Sequence, residues 1–121
     1  MSVSTIAATG VAAFVTALEE YGAEPKTESG LVTYNITSVD GAHAGSTLRT
    51  GVKVEELAPW PVAPPHWIHL SESVKFKATN SGPSLKAGWI AHSRDIPAWG
   101  TAAVPAAAWL AHVRGVLSDA L

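Results

Sequence analysis

Residues 58–70, APWPVAPPHWIHL, place four prolines, two tryptophans and two histidines within thirteen positions. Each proline fixes its own φ and removes a backbone donor, and it pushes the residue before it into extended geometry. Pro61, Pro64 and Pro65 do this within five positions. A strand cannot run through such a stretch. It is predicted to be a stiff crossover between a strand ending near Leu57 and one starting near His66. Trp60 and Trp67 are the bulky side chains expected to pin it to the body of the fold.

The flanking sequence has clear periods. Val11, Phe14, Val15 and Leu18 recur at helical spacing, with Glu19 and Glu20 on the other side and Gly22 as a stop signal. An amphipathic helix of roughly twelve to sixteen residues is therefore expected near the N-terminus. The period then shortens to two. LVTYNIT (31–37), TLRTGVKVEEL (47–57) and SVKFKAT (73–79) alternate apolar and polar residues, as half-buried antiparallel strands do. Asp40-Gly41 and Gly45 supply the connection between the first two. At the other end Pro105 suits a first helical turn. Trp109, Val113, Val116, Leu117 and Ala120 then form one apolar stripe, with His112 and Arg114 off it and expected to be solvated. The predicted fold is α+β over one domain, residues 1–121. It comprises an N-terminal helix, a four-stranded antiparallel meander with one wet face, the proline-rich crossover, and a C-terminal helix.

Composition removes several functions. Apolar residues make up 47% of the 121 positions and charged residues 15%, enough to bury a core. Net charge is −2 without a basic stripe, which gives nucleic acid little to hold. There is no cysteine, so disulfides, thiolate metal sites and thiol nucleophiles are excluded together. The apolar start lacks a preceding Lys or Arg and is broken by Ser and Thr, so neither a signal peptide nor a membrane span is expected. A cytoplasmic protein with no membrane partner follows as the expectation.

Two stretches carry the side chains suited to chemistry. In HWIHL a strand turns His66, Ile68 and Leu70 one way and Trp67 and His69 the other, so the histidines do not share an ion. No metal or other cofactor is expected. GWIAHSRDIPAWG (88–100) sets His92, Ser93, Arg94 and Asp95 between Trp89 and Trp99. Ser93 beside His92, with Asp95 to orient it, raises a hydrolase. Neighbouring residues seldom face each other, however, and the glycine-flanked elbow of serine nucleophiles is missing. The bland reading has Arg94 and Asp95 as a surface pair or bonded to backbone carbonyls, with the tryptophans wedging a loop against the sheet.

Helix, meander, and a Trp60-Pro61-Val62-Ala63-Pro64-Pro65 turn leading into a further strand resemble the ubiquitin-conjugating-enzyme (UBC-like) superfamily. That family carries a Tyr-Pro-x-x-Pro-Pro turn at this place. GWIAHSRDIPAWG followed by WLAHVRGVL is similar to a divergent branch, prokaryotic family E, and the likeness runs over about residues 30 to 121. It implies a role in bacterial ubiquitin-like modification, with a ubiquitin-like protein or a companion conjugation enzyme as partner. The chain departs from the family at the decisive point, having neither the cysteine that holds cargo as a thioester nor a His-Pro-Asn turn. Only Ser81, Ser84 and Ser93 offer a nucleophilic oxygen nearby, and a hydroxyl needs an adjacent base. The resemblance therefore implies a catalytically silent adaptor rather than an enzyme. Its binding or loop-forming residues would be Trp60, Pro61, Pro64, Pro65, His66, Trp67, His69, Trp89, His92, Ser93, Arg94 and Trp99. Two alternatives stay open: a small metal- or histidine-dependent hydrolase using His66, His69, His92 and Asp95, and a homo-oligomer joined through its aromatic residues.

Overall fold

The computed structural model describes residues 9–77, 80–101 and 103–121. Helices α1 (Gly10–Glu20) and α2 (Pro105–Ser118) accompany six strands. These are β1 (Lys26–Glu28), β2 (Leu31–Thr37), β3 (Thr47–Lys53), β4 (Trp67–Ser71), β5 (Ser81–Pro83) and β6 (Trp89–Ser93). They form one antiparallel sheet in the order β1-β2-β3-β4-β6-β5.

Helix α1 forms because Phe14 and Leu18 fall on one stripe, and both are fully buried. It stops where Gly22 takes φ +69°. The Gly22 amide donates to Glu19 O (3.0 Å) and the Ala23 amide to Leu18 O (3.1 Å), the paired bonds of a Schellman ending. Helix α2 buries Trp109, Leu110, Val113, Val116 and Leu117. Both helices cover the sheet face formed by Val32, Tyr34, Ile36, Val52, Ile68 and Leu70. At its centre the Trp109 indole donates to the Tyr34 hydroxyl (2.8 Å), which gives two buried polar groups each other as partners. Burial pushes the Tyr34 phenol above its usual pKa.

Strands β2 and β3 pair over seven residues, from Leu31↔Lys53 to Thr37↔Thr47. In the connection between them Gly41 has φ +81°, and a Cβ there would lie 2.5 Å from the Ser118 carbonyl oxygen. Only glycine fits a turn pressed so closely on the end of α2.

The four-stranded meander needs correcting in three places. The strand predicted over 47–57 ends at Lys53, and Val54–Leu57 form a 3₁₀ turn that drops Leu57 into the core. Residues 73–77 of the predicted SVKFKAT strand are irregular, while Ala78 and Thr79 lie outside the described residues. Their expected edge is taken, because β6 pairs with β4 through five residues, from Trp67↔Ser93 to Ser71↔Trp89. Val74 and Phe76 pack on the core from a loop instead. Finally, WIAHS, within the stretch expected as a wedged loop, supplies that strand β6.

The outer face of the sheet is not wet. Leu31, Thr33, Gly51, His69 and Ala91 all point there and are buried. Residues 84–88, between β5 and β6, form a strap across this face. Ser84 bonds His69, and Lys86 Nζ meets Glu28 Oε1 at 2.9 Å. Leu85 reaches Gly30, where a Cβ would stand 2.8 Å from its Cδ1. The Lys86 ammonium beside Glu28 holds that carboxyl below the usual carboxylate range. Among the described residues no helix is long and apolar enough to cross a membrane.

Candidate functional site

The proline crossover is held from several sides. Trp60 is only 2% exposed and meets the Phe14 ring edge-on at 4.8 Å. Its carbonyl accepts from the Gly10 amide at the start of α1 (2.8 Å). The Trp99 indole donates to Pro61 O (2.8 Å), and Trp99 lies 5.4 Å from the Trp60 ring. The Trp60–Pro61 bond is cis. At the far end Pro65 is buried and the His66 amide donates to Glu56 Oε1 (2.8 Å). The crossover therefore delivers His66 to the sheet with its backbone fixed.

From that position the His66 ring spans two side chains at the end of β6. Its Nε2 is hydrogen-bonded to Ser93 Oγ, and its Nδ1 stands 3.0 Å from Asp95 Oδ1. The backbone locks both ends: the Ser93 amide donates to Asn80 O (2.8 Å) and the Arg94 amide to His66 O (3.0 Å). The Arg94 guanidinium bonds Ser93 O (2.8 Å) and rests 5.0 Å over the Phe76 ring. Pro64, Pro65, His66, Arg94, Asp95 and Ile96 line an open groove of about 330 Å³ beside the trio. An ionised carboxylate only accepts, so neutral His66 carries its proton on Nδ1 and offers the Nε2 lone pair to the Ser93 hydroxyl. Nucleophile, base and orienter stand in the order that serine acyl transfer uses.

His69 has the opposite surroundings. It is 3% exposed on the outer face, with Nδ1 2.8 Å from Ser84 Oγ and Nε2 without a partner. Burial lowers its pKa to about 4, and Lys53 and His92 add to the effect. A groove of about 340 Å³ opens beside it, between Trp67, Lys53, Glu55 and Glu56. His66 and His69 thus turn to different partners and do not converge. Among the described residues no three His, Asp or Glu side chains meet as cation ligands would.

The remaining residues named from sequence separate into groups. Trp60, Pro61 and Trp99 pack together, whereas Trp67 lies half-buried on the outer face with its neighbour His66 edge-on at 5.5 Å. Trp60, sunk in its own core, is withdrawn from any oligomer interface. Trp89 lies under the strap with the Lys86 ammonium 5.5 Å from its ring. His92 alternates to the helix side of β6, away from Ser93, and its ring meets Phe76 at 4.8 Å. Ser93 and His92 therefore turn to opposite faces of the sheet and do not pair, as their adjacency implies. Asp95 pairs with His66 instead of Arg94, which takes the backbone carbonyl of the bland reading. His112, expected to be solvated, is half-buried against Trp109 (5.5 Å) and its pKa is lowered by that burial. Sequence reasoning missed Glu56 as an anchor of the crossover and Ser84 as the partner of His69. No family model, curated protein or solved structure matches the chain.

Proposed function

We propose that the chain is a ubiquitin-conjugating-like domain serving as a binding or adaptor component of a bacterial ubiquitin-like modification system, without carrying cargo as a thioester. The observation that carries this reading is the path of the crossover. An antiparallel β2–β3 pair leads through Trp60-Pro61 and Pro64-Pro65 into β4, beneath an N-terminal and a C-terminal helix. The absence of any cysteine supports the silent half of the reading. Strands β5 and β6 are a departure, and they occupy the stretch in which the family's cysteine would fall.

Binding is assigned to the apolar groove where α1, the crossover and the start of α2 meet. Ala13, Ala17, Tyr21, Pro61 and Val104 line it, and Tyr21 and Val104 are exposed. An apolar surface framed by Glu20 suits the apolar patch of a small partner protein. The test is an NMR titration of the labelled protein with its cognate ubiquitin-like protein and activating enzyme. Shifts of the Ala13, Ala17, Tyr21 and Val104 amides, with no thiol-labile adduct, are expected. Unmoved spectra at millimolar partner would remove the reading.

A further inference from the structure

We propose that Ser93, His66 and Asp95 form a nucleophilic site that accepts an acyl group from activated carboxylic esters. The inference goes beyond the adaptor reading and uses the opposite end of the crossover from the binding groove. It stands on the bonded order Ser93 Oγ, His66 Nε2, His66 Nδ1, Asp95 Oδ1, with 3.0 Å at the last step. A groove with room for a short acyl chain adjoins it.

The chemistry closes with an ester and water as the co-reactants. The Ser93 oxygen forms a bond to the ester carbonyl carbon while its proton passes to His66 Nε2. The bond between that carbon and the leaving oxygen then breaks, and the departing oxygen takes the proton from His66. Water repeats the two steps to release the acid and restore the serine. Asp95 acts as a positioning residue, since it touches His66 and not the reacting atoms. Pro64, Pro65 and Ile96 provide apolar walls for the acyl chain, and Arg94 puts a positive charge on the same groove.

The site has the parts of a nucleophile but not of a fast hydrolase. The backbone amides of Ser93 and Arg94 already donate to Asn80 O and His66 O, so neither is available to an oxyanion. Oxyanion donors normally supply the largest share of the rate. Asp95 is 91% exposed, so water weakens its hold on the imidazole. A reactive leaving group is therefore required, and acylation is expected to be readily detected while turnover stays slow.

The experiment treats the full chain with p-nitrophenyl acetate and maps the acetyl group by peptide mass spectrometry. An acetyl on Ser93 is expected, with nitrophenolate release falling at least about tenfold in Ser93→Ala and in His66→Gln. Asp95→Asn is expected to slow release while the circular dichroism spectrum is unchanged, and a fluorophosphonate probe should label the same serine. Acetyl found only on lysines or on the N-terminal amine of the unsubstituted protein would overturn the proposal. Undiminished release by a folded Ser93→Ala protein would do the same. Mapping on the unsubstituted protein keeps the test valid even if a variant does not fold.

Discussion

His66 and His69 stand three positions apart and live in different chemistry. His66 is delivered by a proline-locked coil to the rim of the sheet, where its side chain is 42% exposed and bridges a hydroxyl to a carboxylate. His69 is a strand residue, and alternation turns it under the strap, where burial pushes its pKa to about 4. The first is available as a base; the second is a neutral packing group with one nitrogen spent on Ser84. The contrast shows that residue type and spacing do not assign a role here. The partners brought from residues 84 and 93 do.

The contrast can be broken most severely at its anchor. Trp60→Ala empties a fully packed core site and is expected to cost about 3–5 kcal/mol in denaturant unfolding. It should also abolish acylation of Ser93 in whatever fraction stays folded, because His66 loses its fixed approach. Retained acylation at lowered stability would show that the crossover does not position the imidazole.

Acid should act next, and on the His69 side. A histidine whose folded pKa lies below its unfolded value stabilises the fold fully above about pH 6.5. That contribution is lost as pH falls toward 4, since the unfolded chain then binds the proton more readily. Allowing for water in the adjoining groove, the loss is expected to be roughly 1–2 kcal/mol, read from urea midpoints at successive pH values. His92 and His112 are held down in the same direction, so His69→Gln should shrink the slope without removing it. An unchanged slope in that variant would place the acid sensitivity elsewhere.

The hydroxyl partners differ in the same sense. Ser84→Ala leaves a buried imidazole nitrogen with nothing to bond and is expected to cost about 1–2 kcal/mol. Asp95→Asn removes a charge that stands in water and should leave stability within about 0.5 kcal/mol. Equal costs for the two would erase the difference between buried and exposed corners.

How much of this was legible in the sequence follows the range of each interaction. Helices α1 and α2, the β2–β3 hairpin and the bend at Pro61–Pro65 rest on local periods and on imino rings, and each is present, although β3 stops at Lys53 instead of running to Leu57. Strand β6 was hidden because WIAHS is five residues long and its alternation runs through His92 and Ser93, which drew a functional reading instead. The failed strand at 73–77 has the right period, but whether it could form depended on β6 occupying the edge of β4. The strap was unreadable for a similar reason, since its bonds join Ser84 to His69 and Lys86 to Glu28 across the sheet. At the candidate site the right residue types stand in view, yet the sequence sets Ser93 beside His92 and far from His66. The pairing Trp67↔Ser93 brings it to His66 instead, and only the strand register supplies that fact.

The most direct test reads the imidazole protons of the two histidines by long-range proton–nitrogen NMR. If Asp95 accepts from Nδ1 and Ser93 donates to Nε2, neutral His66 is expected in the Nδ1–H form, and Asp95→Ala should release that preference. A neutral His66 carrying its proton on Nε2, unchanged by removal of the carboxylate, would contradict the claim that the crossover sets this ring as a base for Ser93.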